Sequence, residues 1–108
     1  MTGYTPGPWT VDRHGTAYYP LRVVAGNREV VAFHAWDDEK EANARLIAAA
    51  PELLEALKAA LPGLRREYVE LAQKYAGTKF ESDHAYREVE ARYRNAQAAI
   101  AKAERSPT

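Results

Sequence analysis

The chain contains no cysteine. Disulfides, thiolate metal sites and cysteine nucleophiles are therefore excluded, and the composition suits a reducing cytoplasm. An excess of charge is also missing, since 15 lysines and arginines balance 15 aspartates and glutamates. A general nucleic-acid coat protein draws its affinity from surplus cations, so that class is not expected, although a local basic pocket for a small anion is compatible with neutrality. Serine occurs only at Ser82 and Ser106. No glycine-rich phosphate loop, nucleophile elbow or paired-acid motif accompanies them, and no enzyme activity is expected. The histidines, His14, His34 and His84, lack ligand-like spacing, so no metal or other cofactor is expected. Long apolar runs are absent too. The longest, Leu46 to Pro51, is far too short to span a bilayer. Met1 to Trp9 shows no cationic stretch followed by an apolar one, so no secretory leader is expected. These features predict a cytoplasmic protein with no membrane association.

What is present changes character near Trp36. Turn formers, aromatics and β-branched residues precede it; alanine, leucine, glutamate and arginine dominate after it. This predicts an α+β chain, a single domain over 1–108. Residues 1–36 form a small antiparallel sheet of about three strands, 37–50 a short helix, and 51–104 a long antiparallel helical hairpin turning at 76–79. A first short strand alternates about Trp9 and Val11. Tyr18 to Ala25 and Glu29 to Trp36 read as a β-hairpin around Gly26-Asn27. A three-residue loop pairs Val23 with Val31, Leu21 with Phe33 and Tyr19 with Ala35, all on one face. A two-residue loop pairs Val23 with Val30 and spoils that face. The first is preferred, because a one-residue slip inverts every side chain. Asp38 with Glu41 has capping-box spacing for a helix over about Glu39 to Ala49, and Pro51 suits the first turn of a following helix.

The helical hairpin is the most strongly specified part. Leu57, Leu61, Leu64, Tyr68 and Leu71 follow each other at helical spacings, as do Tyr86, Val89, Tyr93, Ala96 and Ile100. Folding the chain at Ala76-Gly77-Thr78 opposes Leu71 to Tyr86, Tyr68 to Val89, Leu64 to Tyr93, Leu61 to Ala96 and Leu57 to Ile100. The position numbers of each pair share one sum, as an antiparallel register requires. Gly77 suits a left-handed C-cap and Thr78 with Glu81 a capping box for the return helix. Pro62-Gly63 predicts a kink rather than a break, since the seam keeps phase across it. Arg105 to Thr108 should fray. Leu53, Ala56, Ala60, Val69, Ala98 and Ala99 lie off the seam, which suggests a homodimer or higher homo-oligomer.

Two segments carry a resemblance. Thr5-Pro6-Gly7-Pro8-Trp9, and the stretch from Glu41 through Ala42-Asn43-Ala44-Arg45-Leu46-Ile47 and Ala48-Ala49-Ala50-Pro51-Glu52 to Leu57, resemble a widespread group of small phage and prophage proteins. Those share a "TPGPW" start and an "EANARLIAAAPELLEAL" run, and mostly have no assigned activity. The resemblance covers the first 60 or so residues and leaves the hairpin beyond Leu61 unaddressed. It implies a phage accessory product working in the host cytosol, often of the kind that manages host defences, and it supplies no catalytic residues.

Residue chemistry narrows this to binding. Arg45 sits among alanines, Leu46 and Ile47, so its helix reads as mostly buried and its guanidinium needs a partner. A structural pair with Glu41 or Glu52, or snorkelling to the surface, satisfies it; so does bidentate grip on a phosphate or carboxylate. Asn43 would then read a base or sugar edge, or simply bond to nearby backbone. Tyr19 and Trp36, with Arg22 and Arg45 nearby, are suited to stack on a nucleotide, while most sheet aromatics should be core. The Asp37-Asp38 pair is explained more simply as a helix cap than as catalytic carboxylates. Arg45, Asn43, Trp36, Arg22 and Tyr19 are thus the candidate site for a small anionic, nucleotide-like ligand, giving a non-enzymatic anti-defence protein that sequesters a nucleotide immune signal. The alternative is a protein–protein inhibitor that docks on a host defence complex through its helical hairpin. Charged tracts such as Arg65-Arg66-Glu67 and Arg87 to Arg94 read as solvated helix faces.

Overall fold

A computed structural model of the chain describes residues 4–75, 77, 78 and 84–104. Strands β1 (Thr10–Asp12), β2 (Leu21–Ala25) and β3 (Arg28–Phe33) precede helices α1 (Asp38–Tyr75) and α2 (His84–Glu104). The expected α+β architecture of antiparallel sheet followed by helical hairpin is what forms. Internal packing divides the chain into two compact units, one ending at Leu54 and one beginning at Glu55.

In the first unit the strands form an antiparallel meander in the order β1-β2-β3. Val11 lies opposite Val23, and beyond it Val23 opposes Val31 and Leu21 opposes Phe33. These pairs match the preferred register, but the turn does not. Ala25 opposes Arg28 and Val24 opposes Glu29, so the loop is the two-residue Gly26-Asn27, with Gly26 in the left-handed region at φ 62°. A β-bulge between Val23 and Val24 reconciles the two alternatives by leaving one extra residue, Val30, on β3. As a result, Val30 and its neighbour Val31 both reach the core. The ladder stops at Leu21 and Phe33, so Tyr19 and Ala35 do not form the third strand pair that was expected. Tyr19 instead packs its ring against His34 at a 42° tilt, the centroids 4.6 Å apart.

The core of this unit is Leu21, Val23 and Ala44, each with no exposed surface. Trp9, Val11, Phe33, Ile47 and Ala48 pack around them. The N-terminal Thr5-Pro6-Gly7-Pro8-Trp9 segment is tied in by the Trp9 indole, whose Nε1 donates to the Thr5 carbonyl at 3.0 Å, and Gly7 abuts Pro51. Between β1 and β2 the chain folds back on itself at Gly15, whose N–H donates to the Pro20 carbonyl at 3.4 Å.

Asp37, rather than Asp38, caps α1. Its Oδ1 accepts the Lys40 backbone N–H at 2.8 Å, and its Oδ2 the Lys40 ammonium at 3.1 Å. That shifts the third helical residue to Lys40 and frees Glu41 from the capping role. Glu41 turns to Arg13, whose Nε donates to its Oε1 at 2.7 Å, while its Oε2 is buried without a partner among the described residues.

The short helix and the first hairpin arm turn out to be one helix. α1 runs through both Pro51 and Pro62 without interruption. A proline inside a helix costs about 3 kcal/mol, because it lacks the N–H that donates four residues back. Strong helix formers on either side and the burial of Ile47 and Ala48 before Pro51, with Leu57, Leu61 and Leu64 around Pro62, offset that cost.

In the second unit the remainder of α1 packs antiparallel to α2. Val89 and Ala96 are buried, and every other residue of the two expected seams is half-buried. Tyr68 lies between Tyr86 (ring centroids 6.0 Å apart) and Tyr93 (5.4 Å), which places it opposite Val89, as the register requires. Burial beside Tyr68 pushes the Tyr86 hydroxyl above its ordinary range. At the far end Lys58 Nζ meets Glu104 Oε2 at 2.8 Å. Gly77 adopts the left-handed conformation expected of a C-cap, φ 77°, and both the N–H and the hydroxyl of Thr78 donate to the Tyr75 carbonyl. The expected Thr78–Glu81 box and the fraying of Arg105 to Thr108 lie outside the described residues.

Candidate functional site

The five residues nominated from sequence all fall in the first unit, but on separate surfaces. Arg22 alternates with Leu21 and Val23 along β2, so it points from the sheet face away from the core. There it lies directly across from Asp12. Its Nε donates to Asp12 Oδ2 at 2.9 Å, Nη2 reaches the same oxygen, and Nη1 is 3.7 Å from Glu29 Oε2. Arg22 keeps the Asp12 carboxyl below its ordinary value, helped by the His14 backbone N–H, and Asp12 in turn raises the arginine. This guanidinium is already satisfied by protein carboxylates.

Asn43 and Arg45 sit on α1 on either side of the buried Ala44, and both are exposed. Two residues apart on a helix means about 200° of rotation, so they project to opposite flanks. The expectation that Arg45 lies in a mostly buried helix is corrected: only the Ala44 side faces the sheet. Neither Glu41 nor Glu52 pairs with it; Glu41 is engaged by Arg13, and Arg45 has no ion pair among the described residues. Trp36 is 47% exposed just before α1 begins, and Tyr19 is 39% exposed against His34. The structure therefore leaves Arg45, Asn43 and Trp36 solvent-facing and holds Arg22 in a carboxylate pair on the far sheet face, and no hydrogen bond, ion pair or ring contact joins any two of the five. Among the described residues no group of His, Asp and Glu could hold a metal ion, and no described helix is long and apolar enough to cross a membrane.

A concave surface lies elsewhere, on the part of α1 in the second unit. Leu61, Arg65 and Val69 form one ridge at four-residue spacing, and Pro62, Arg66 and Glu70 form the next. The open groove along these ridges has a volume of about 550 Å³. Leu61 and Val69 are half-buried on its floor, whereas Arg65, Arg66 and Glu70 are exposed. Neither arginine has an ion pair among the described residues. Sequence reading treated these arginines as a solvated helix face. The overlooked signal was the pair of adjacent four-residue rows, each mixing an apolar residue with a cation. On α2, Arg92 lies 3.9 Å from Glu88 and Arg94 3.4 Å from Glu90, while Arg87 is exposed. Glu90 keeps the Arg94 guanidinium firmly protonated.

Fold and surfaces together describe a small α+β protein, a three-stranded antiparallel sheet followed by a helical hairpin. The chain belongs to the family of Salmonella phage P22 protein Y8K6, whose model matches residues 1–106. It is thus a small phage protein, as the two sequence segments implied. No curated protein and no solved structure matches the chain.

Proposed function

We propose that the protein is a non-enzymatic phage accessory factor that counters a host defence by docking on one of its proteins through the helical hairpin. The observation that carries this reading is the groove on α1: an apolar floor from Leu61, Pro62 and Val69, rimmed by Arg65 and Arg66. Such a surface fits a partner segment that presents an apolar side chain next to a carboxylate, with the arginines fixing its orientation by charge-assisted hydrogen bonds. Membership of a phage protein family supports the host-directed setting. The test is recovery of a stoichiometric host protein on the tagged chain. Joint R65E and R66E substitution should abolish recovery while leaving the helical circular-dichroism signal intact. Retention of the partner by that variant rejects the groove as the docking surface.

Sequestration of a nucleotide signal is the second reading, and what favours it is Arg45, an exposed guanidinium without a carboxylate partner among the described residues. Arg22 is engaged and Asn43 turns to the other flank, so an anion there would be held by Arg45 with little help. Thermal shift against a panel of cyclic nucleotides distinguishes the readings: stabilisation lost on R45A supports sequestration, and no shift with any member removes it.

A further inference from the structure

We infer that two copies of the chain associate antiparallel through the outer face of the first turns of α1. Ala44, Ile47 and Ala48 face the sheet. On the opposite side of the same turns, Ala42, Leu46, Ala49 and Leu53 recur at spacings of four, three and four residues, a coiled-coil seam. Among the described residues its leucines are left uncovered: Leu46 is 64% and Leu53 54% exposed, with Ala42 exposed and Ala49 half-buried. All four residues belong to the unit that ends at Leu54.

The occupant is fixed by self-complementarity. Set against its own copy in the antiparallel sense, with the two-fold axis level with Ile47 and Ala48, the face opposes Leu46 to Ala49 and Leu53 to Ala42, each contact occurring twice. Every layer pairs a large with a small side chain, and the alanines let the backbones approach closely. Charge follows the same register. Arg45 and Glu52 lie along one flank of the seam, both exposed and without an ion pair among the described residues. The same two-fold axis sets each Arg45 beside Glu52 of the second copy. A parallel arrangement would stack leucine on leucine and alanine on alanine, and would leave both charges unmatched. The unpaired Arg45 is thereby explained as half of an intermolecular pair.

Sedimentation of the full chain across a concentration series tests this. The wild-type chain should show a dimer. R45E and E52R should each weaken it about tenfold or more, since each places like charges together twice. The double variant R45E/E52R, which restores opposite charges, should return the dissociation constant to near the wild-type value. Leu46→Gln should weaken the dimer in both charge backgrounds. All three substituted residues are exposed, and far-UV circular dichroism checks that each variant is folded. A wild-type chain that stays monomeric overturns the inference. So does a dimer indifferent to the single reversals, or a double variant no better than either single. R65E/R66E should leave the dimer unchanged, which separates this surface from the groove proposed for docking.

Discussion

Gly7 lies against Pro51, and a Cβ added to Gly7 would stand 3.1 Å from the Cβ of Pro51 and 3.4 Å from its Cγ. The glycine of the N-terminal Thr5-Pro6-Gly7-Pro8-Trp9 segment thus meets the proline inside α1. Within the first unit one stretch therefore docks on the other.

That contact predicts a coupled pair of substitutions. Gly7→Val overfills the junction and should lower stability by about 1–2 kcal/mol. In a Pro51→Gly background, where both crowding atoms are gone, the same change should cost clearly less. Chemical denaturation of the four proteins in the cycle measures the coupling. Additive costs would show that the contact carries no strain when filled.

Gly15 and Gly26 predict opposite tolerances. A Cβ on Gly15 would fall 1.9 Å from the backbone oxygen of Tyr19, while nothing lies within 4 Å of one on Gly26. Gly26 is required only by its positive φ of 62°, which asparagine also adopts readily. Gly26→Asn should therefore cost well under about 1 kcal/mol. Gly15→Asn should prevent the turn from closing and lower the melting temperature severely, because the obstructing atom is backbone. Similar melting temperatures for the two variants would contradict this account.

The contrast between hairpin and site shows what could be read from the chain. The pairing of Tyr68 with the Tyr86–Tyr93 step was legible because a helix seam has one period and large side chains mark it. The Val23–Val31 register was legible for the same reason. The bulge at Val30 was not, because the two loop lengths read as exclusive alternatives, whereas one extra residue on β3 lets the two-residue turn and the Val23–Val31 pairing hold together. Around Arg45 the pattern is silent: alanines at 42, 44, 48, 49 and 50 populate every side of the helix. Alanine is compatible with core and solvent alike, so only the fold shows that Ala44 is inside and Arg45 outside. Pro51, read as the start of a separate helix, misled for a related reason, whereas Pro62 was expected inside the helix and lies there. The local cost of Pro51 is visible in sequence, but the packing of neighbouring turns that offsets it is not.

Acid should destabilise the fold through two aspartates, Asp12 and Asp37. Asp12 is held below the ordinary aspartate value of 3.8, first by Arg22 and then by the His14 N–H. Asp37 is lowered first by the Lys40 backbone N–H and then by the Lys40 ammonium. In both, the folded state binds its proton at lower pH than the unfolded chain. Their stabilisation is therefore complete above about pH 4 and is lost as pH falls through the folded-state values. Asp37→Asn keeps a capping oxygen, so its melting temperature at pH 7 should fall little while its decline below pH 4 becomes shallower. Asp37→Ala should lose both. An unchanged acid slope in Asp37→Asn would remove that residue from the linkage.

Tyr68 should be the most sensitive position of the hairpin. Its ring lies 5.4 Å from Tyr93 at an interplanar angle of 23°, and 6.0 Å from Tyr86 at 30°. Tyr68→Ala removes both contacts and leaves a gap opposite Val89, at a cost of about 2–3 kcal/mol. A double-mutant cycle with Tyr93→Ala should give a coupling of about 1 kcal/mol, and the cycle with Tyr86→Ala a smaller one, following the ring separations. Tyr93→Phe loses only the hydroxyl that accepts Gln97 Nε2 at 3.0 Å on the exposed side. It should leave stability nearly unchanged, because water replaces that partner. If Tyr93→Phe proved as costly as Tyr93→Ala, the hydroxyl rather than the stacked ring would be holding the two helices in register.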